Sequence, residues 1–198
     1  MKRKPINIEE YRGKLFSLFM RLGPKTPSNE LQELVDQFEV GMFSKREVVL
    51  KAGEFSDTVY FIVSGLVRIY YVKEDKEITN WFIKENMMFA ATYSILTGNA
   101  NYSSYEALED TVVLKINYST LEKYYAKYHS IEHIGRKLIE YYYGTFMKKT
   151  FDVLFLSAEE RYSLFMKDHG DLINRVPLRF IASYLGITQE TLSRLRSK

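Results

Sequence analysis

The stretch LRFIASYLGITQETLSRLR, Leu178 to Arg196, carries two short amphipathic runs joined through one glycine. Ile181 and Leu185 lie one helical turn apart and form the apolar face of a first helix. Ala182 is small enough to let a second helix cross closely. Gly186 falls at the joint, where a left-handed backbone costs little only for glycine. Ile187 plugs the corner, Thr188 is placed to cap the next helix, and Leu192 and Leu195 bury its inner side. The pattern predicts a helix-turn-helix.

With those positions turned inward, Gln189, Glu190, Ser193 and Arg194 remain outside, beside Thr188 and Thr191 at the helix start. Arg, Glu, Gln and Ser are the side chains that recognise guanine, cytosine, adenine and several base edges respectively. A plain helical hairpin with a solvated polar face would also show Ala and Gly at such places. The charge around the motif favours an anionic partner: from Arg175 onward Arg175, Arg179, Arg194, Arg196 and Lys198 face the single acid Glu190. Arg179, Arg196 and Lys198 are candidate phosphate contacts.

Upstream, Ser157 followed by Glu160 in SAEE predicts a capping box that opens a new helix, and an interdomain hinge is expected at Leu156 and Ser157. Before it, Ile131, Ile134, Leu138, Tyr142, Phe146, Lys149, Val153 and Leu156 recur every three or four positions. Such a seam could pair with a copy of itself, so Ile131, Ile134, Leu138, Tyr142, Phe146, Lys149 and Val153 are the expected dimer interface. Gly135 and Gly144 weaken that helix by about 1 kcal/mol each where exposed.

Further back the periodicity becomes that of strands. After Gly41 come VVL, VYFIV, LVRIYYV, EITNWFI and YEALEDTVVLKI, separated by Gly, Asp, Asn and Lys-Glu turns. Close spacing without intervening helices predicts an antiparallel barrel or jelly roll. Helical spacing from Ile8 to Leu22 precedes it, then PKTPSN and a short helix that Ser28 could cap, carrying Leu31, Leu34, Val35 and Phe38.

Composition bounds the chemistry. Of 198 residues 46% are hydrophobic and 27% charged, enough for buried cores, and the net charge is only +3. The absence of cysteine removes disulfides, thiol catalysis, Cys-ligated zinc and iron–sulfur clusters. No apolar run approaches a membrane span and MKRKPINIEE lacks a following apolar region, so a cytoplasmic location without membrane contact is expected. His129 and His133 stand four apart on a helix, but no third ligand is evident beyond Glu132, which is expected to point elsewhere, and no metal or other cofactor is expected. A cupin-type enzyme would need strand histidines, and none precedes His129; no GxSxG, Walker or dinucleotide glycine pattern occurs, so no enzyme is expected.

GEFSDTVYFIVSGLVRIYY, Gly53 to Tyr71, resembles the barrel signature of cyclic-nucleotide-binding domains. Barrel, long helix, capping box and terminal helix-turn-helix follow in the order of the cyclic-AMP receptor / fumarate-nitrate reduction regulator family, over roughly residues 15 to 196. The resemblance implies an α+β fold: a sensor barrel over 1–118, a dimerisation helix over 119–156 and a winged-helix-like DNA-binding unit over 157–198. It implies a homodimeric, cytoplasmic transcription regulator of double-stranded DNA, with RNA polymerase as a further partner. The ETLSR run, Glu190 to Arg194, is similar to the ExxSR pattern of the fumarate-nitrate branch and implies a palindrome of TTGAT-like half-sites. Little room remains before the helix-turn-helix for the β-hairpin many members have.

The family's nucleotide pocket needs Gly and Glu for the ribose and Arg and Ser for the phosphate. By alignment Ala90 and Ala91 replace the first pair, Asn101 and Tyr102 the second, with Ser103 following, so cyclic AMP is not expected to bind. Asn80, Trp81, Phe89, Tyr93, Tyr105, Tyr142 and Phe146 align with the rest of the pocket. They would suit an unknown flat or apolar effector, or simply fill the barrel. A different class of protein, an effector-regulated interaction module that binds protein and not DNA, is distinguished by weak salt dependence.

Overall fold

The structure is a computed structural model that describes residues 7–197. Lys198, a candidate phosphate contact, lies outside the described residues. The first helix, α1 (Ile8–Leu22), starts where the Asn7 side chain accepts from the Glu10 amide and ends at Gly23. Helix α2 (Ser28–Val35) follows; Ser28 is its first residue and Pro27 occupies the cap, so the expected Ser28 cap is not made. Phe38 lies past the end of α2 yet is fully buried.

Eight strands form two four-stranded antiparallel sheets of a jelly roll. They are β1 (Glu39–Phe43), β2 (Val48–Leu50), β3 (Thr58–Ser64), β4 (Val67–Lys73), β5 (Lys76–Ile83), β6 (Met88–Ala90), β7 (Ser104–Ala107) and β8 (Thr111–Asn117). The first sheet has the order β1-β8-β3-β6, the second β2-β7-β4-β5. A short helix, α3 (Thr92–Thr97), follows β6. The run YEALEDTVVLKI is two strands, because Leu108 to Asp110 turn the chain from one sheet to the other.

Alternation along β3 explains its unbroken apolar run. Ile62 faces the space between the sheets with Val67, Ile83, Phe89 and Val113. Phe61 and Val63 face outward, against Leu15, Phe19, Leu34 and Ile134 of the helices. The outer side of the second sheet is covered too: Leu66, Phe82 and Leu108 share one core with Phe165, Leu172, Phe180, Ile181 and Leu185 of the carboxy-terminal helices. Each fully buried side chain of this size stabilises by about 1.5–3 kcal/mol. Sensor and carboxy-terminal unit are therefore joined by a real apolar core.

After the sandwich come α4 (Tyr118–Lys127) and α5 (His129–Phe155), separated by Tyr128 in extended conformation. The expected dimer seam needs correction. Ile131 and Ile134 are 1% and 2% exposed, buried in the core with α1 and α2, and Leu138 and Tyr142 pack on the same core. Lys149 turns toward the second sheet. Only Phe146 and Val153 of the seven remain exposed. For Ile131, Ile134, Leu138 and Tyr142 the periodicity follows intrachain packing, which sequence spacing cannot distinguish from pairing with a copy. A second row, Ile139, Tyr143, Met147, Phe151 and Leu154, is exposed at helical spacing beside Phe146.

The capping box opens α6 (Ala158–His169): the Ser157 hydroxyl accepts from the Glu160 amide and Glu160 accepts from the Ser157 amide. A 3₁₀ turn, Gly170–Asn174, leads to α7 (Leu178–Leu185) and α8 (Gln189–Arg196). Among the described residues no strand follows β8, so the carboxy-terminal unit is helical without the hairpin that a winged-helix form would carry.

Candidate nucleic-acid interface

Helices α7 and α8 form the expected helix-turn-helix. Gly186 ends α7 with φ 65°, and its amide donates to carbonyls of the last turn. The Thr188 hydroxyl accepts from the Thr191 amide at 3.1 Å and starts α8. Leu192 is fully buried against Ile181, Ala182 and Leu185, which fixes the roll of α8 about its axis. That roll leaves Thr188, Gln189, Glu190, Ser193, Arg194 and Arg196 exposed, with Thr191 half-buried.

The electrostatics divide the arginines. Arg179, Arg194 and Arg196 make no ion pair among the described residues; Arg179 sits 4.6 Å over the Phe180 ring, and Arg194 reaches the Thr191 hydroxyl at 3.5 Å. Arg175 is different. It holds Glu85 through two hydrogen bonds of 2.8 and 3.0 Å, pairs with Glu109, and donates to the Gly65 carbonyl. One of the five basic residues of the tail is thus committed to the sensor, which sequence counting could not reveal.

Other contacts fasten α7 to the second sheet. Arg68 of β4 is almost fully buried, paired with Glu77 and Glu106 at 2.7 and 2.9 Å, and its guanidinium lies 4.0 Å from the Tyr70 ring and 3.6 Å from the Phe180 ring. The Ser183 hydroxyl accepts from the Thr79 amide at 2.9 Å and donates to the Glu77 carbonyl. Lys84 pairs with Asp171 at 2.8 Å. Arg68, Arg175 and Ser183 carry no local signal of these contacts, because their partners lie 9 to 110 residues away along the chain.

The residues aligned with a nucleotide pocket do not converge on one cavity. Phe89 stacks on Tyr60 and Tyr105 with centroids 4.8 and 5.9 Å apart, inside the sandwich, and the Tyr105 hydroxyl donates to the Ala90 carbonyl. Burial pushes the Tyr105 phenol up to about 12. Ala91, Asn101 and Ser103 are buried, and the Asn101 side chain donates to the Ser103 carbonyl at 2.5 Å. Tyr93 and Tyr102 pack edge to face on the surface. The Tyr142 hydroxyl accepts from the Met88 amide, Phe146 is exposed, and Asn80 and Trp81 face α5 at a separate cleft. Among the described residues, no hydrogen bond or ion pair from Lys or Arg reaches the Asn101 to Ser103 segment, where a phosphate would sit.

That cleft, about 100 Å³, lies where β5, α5, α6 and α7 meet. Lys149 donates to the Asn80 carbonyl and stands 4.0 Å from the Tyr184 ring and 5.3 Å from the Trp81 ring. Its burial pushes the ammonium down to about 7. Elsewhere, His129 approaches Glu132 at 3.3 Å, correcting the expectation that Glu132 points away, while His133 turns to Arg136. No group of three metal-binding side chains occurs among the described residues, and no helix there is long and apolar enough to cross a membrane.

Residues 41–128 match the family described as cyclic nucleotide-binding domain. The fumarate and nitrate reduction regulatory protein of Vibrio cholerae is 27% identical over 168 residues, covering 76% of this chain and 64% of the relative. The chain thus spans just under two thirds of that relative's length. Electron transport regulator A of Shewanella oneidensis is 26% identical over 188 residues, 85% of this chain and 72% of that one. Among solved structures, FixK2 of Bradyrhizobium japonicum superposes with a TM-score of 0.68 at 24% identity, over 81% of this chain and 83% of its own, a likeness of fold.

Proposed function

We propose that the chain is a member of the cyclic-AMP receptor / fumarate-nitrate reduction regulator family, to which its relatives point, and that it is a cytoplasmic, dimeric, sequence-specific DNA-binding transcription regulator and not an enzyme. The observation that carries this is the outer face of α8. Gln189, Glu190, Ser193 and Arg194 are exposed together, while Leu192 and the Thr188 cap lock the helix beneath them. Inserted in a major groove, Arg194 and Glu190 suit guanine and cytosine edges, and Arg179 and Arg196 suit the flanking phosphates. Two copies, paired through the exposed Ile139, Tyr143, Met147 and Leu154 row of α5, would present two such helices to half-sites one turn, about 34–36 Å, apart.

The half-site is TTGAT-like, with Glu190 and Arg194 on the GA step and Ser193 near a thymine. Cyclic AMP is not the effector, a reading supported by the absence, among the described residues, of any Lys or Arg hydrogen bond or ion pair to the Asn101 to Ser103 segment; micromolar binding by calorimetry would refute it. Selection of sites from random duplex DNA tests the function. Enrichment of TTGAT palindromes, with loss of binding in a Glu190→Ala, Arg194→Ala double variant, is the expected result. Undiminished binding by that variant would overturn the assignment of α8.

A further inference from the structure

Lys149 is a largely buried cation that makes no ion pair among the described residues. It is enclosed by Trp81 of β5 and Tyr184 of α7, and among the described residues no carboxylate lies within ion-pairing distance. Two acids do line the same cleft, Asp152 and Asp168, but Lys148 takes both, at 3.0 and 3.8 Å. The Asn80 carbonyl satisfies one of the three ammonium hydrogens. A cation withdrawn from water without a counter-charge is costly, and an anion delivered beside it removes that cost. Arg161, on the same wall, gives its terminal nitrogen to the Val153 and Leu156 carbonyls and leaves its buried Nε without a partner.

The cleft, about 100 Å³, has room for one small organic ion. Trp81 and Tyr184 stand edge to face, centroids 6.4 Å apart, and Phe165, Leu164 and Leu185 give one side of the cleft an apolar wall, while Arg161, His169 and the Lys148-paired Asp152 and Asp168 line its polar side. A cationic end and an aromatic, apolar body call for a flat monoanion. We propose that this cleft binds a small aromatic carboxylate, its carboxylate on Lys149 and its ring among Trp81, Tyr184 and Phe165. The site is distinct from the nucleotide region of the sandwich. Because its walls come from the sensor sheet and from α7, the ligand touches both units at once. This inference does not depend on DNA recognition.

Trp81 is the only tryptophan of the chain, so its emission reports the cleft directly. Sodium benzoate is titrated into the full chain without DNA, against sodium chloride at equal ionic strength and against benzamide, the neutral isostere. A saturable change with benzoate is expected, at least tenfold weaker with benzamide and in Lys149→Met, and retained in Lys149→Arg. No saturable change, an equal response to chloride or benzamide, or undiminished affinity in Lys149→Met would each overturn the site. Should Lys149→Met fail to fold by circular dichroism, the benzoate and benzamide titrations of the native chain and of Lys149→Arg decide the matter.

Discussion

Replacing Arg175 by Met, which keeps the stem and removes the charge, strips the sensor of its principal ionic link to the carboxy-terminal helices. Glu85 and Glu109 would then face each other, each about one-third exposed, with no cation between them. Breaking a buried pair costs about 3–5 kcal/mol and a surface pair about 0–1 kcal/mol. At 25% exposure for Arg175 the site is intermediate, and a loss of about 2 kcal/mol is expected. For a chain of this length that lowers the melting temperature by about 4–8 °C. Hydrogen exchange at the Thr79 amide, which donates to Ser183, should accelerate, because α7 lifts from β5 more often. The loss depends on pH with a definite sign. Burial opposes ionisation of Glu85, but hydrogen bonds from Arg175 and the Gly65 amide outweigh it and hold the carboxyl below the ordinary 4.5. A carboxyl depressed in the folded state contributes stability above its unfolded value and loses it as pH falls through the folded one. The difference between native and Arg175→Met proteins should therefore be complete at neutral pH and shrink below pH of about 4. A variant that melts within about 1 °C of the native protein at neutral pH, with unchanged exchange at Thr79, would refute the link.

Other expectations follow from single residues. Arg179→Ala and Arg196→Ala should each weaken binding to all duplexes alike and reduce the slope of log affinity against log salt by about 1, measured by anisotropy; an unchanged slope removes that residue from the phosphate contacts. Gly65, at φ 110° with the Thr111 backbone 2.6 Å from where a Cβ would stand, should tolerate no side chain, and Gly65→Ala should cost upward of about 2 kcal/mol in chemical denaturation. Gly144 faces open space, so Gly144→Ala should stabilise by about 1 kcal/mol, whereas Gly135→Ala meets the Tyr125 ring and should not. Ile139→Glu with Leu154→Glu should give monomers by sedimentation; a dimer that survives both charges would show that the exposed row of α5 is not the pairing face.

Much of the candidate interface was legible because its determinants are local. Gly186 needs a left-handed backbone, Thr188 caps by reaching three residues along the chain, and Leu192 packs on Ile181, Ala182 and Leu185 of the adjoining helix; all of this is encoded within twenty positions. The same holds for the Ser157 and Glu160 box. Strand β6 went unseen because three residues, Met88 to Ala90, show no alternation of their own and pair only with β3. The aromatic residues aligned with a nucleotide pocket proved separable into a stacked interior, a surface pair and an interdomain cleft.

Local spacing along this chain is enough to specify an antiparallel barrel or jelly roll, a long helix and a helix-turn-helix with its outward residues named, since helix and strand periods and caps act over a few ångströms. Which face of α5 turns inward, which arginine is spent on the sensor and where Lys149 meets Trp81 and Tyr184 depend on groups tens to a hundred residues apart. Ile134 and an exposed Ile139 carry the same apolar signal in one dimension. Only the packing of α1 and α2 over the first sheet separates them, because burial belongs to the assembled core and not to any one segment.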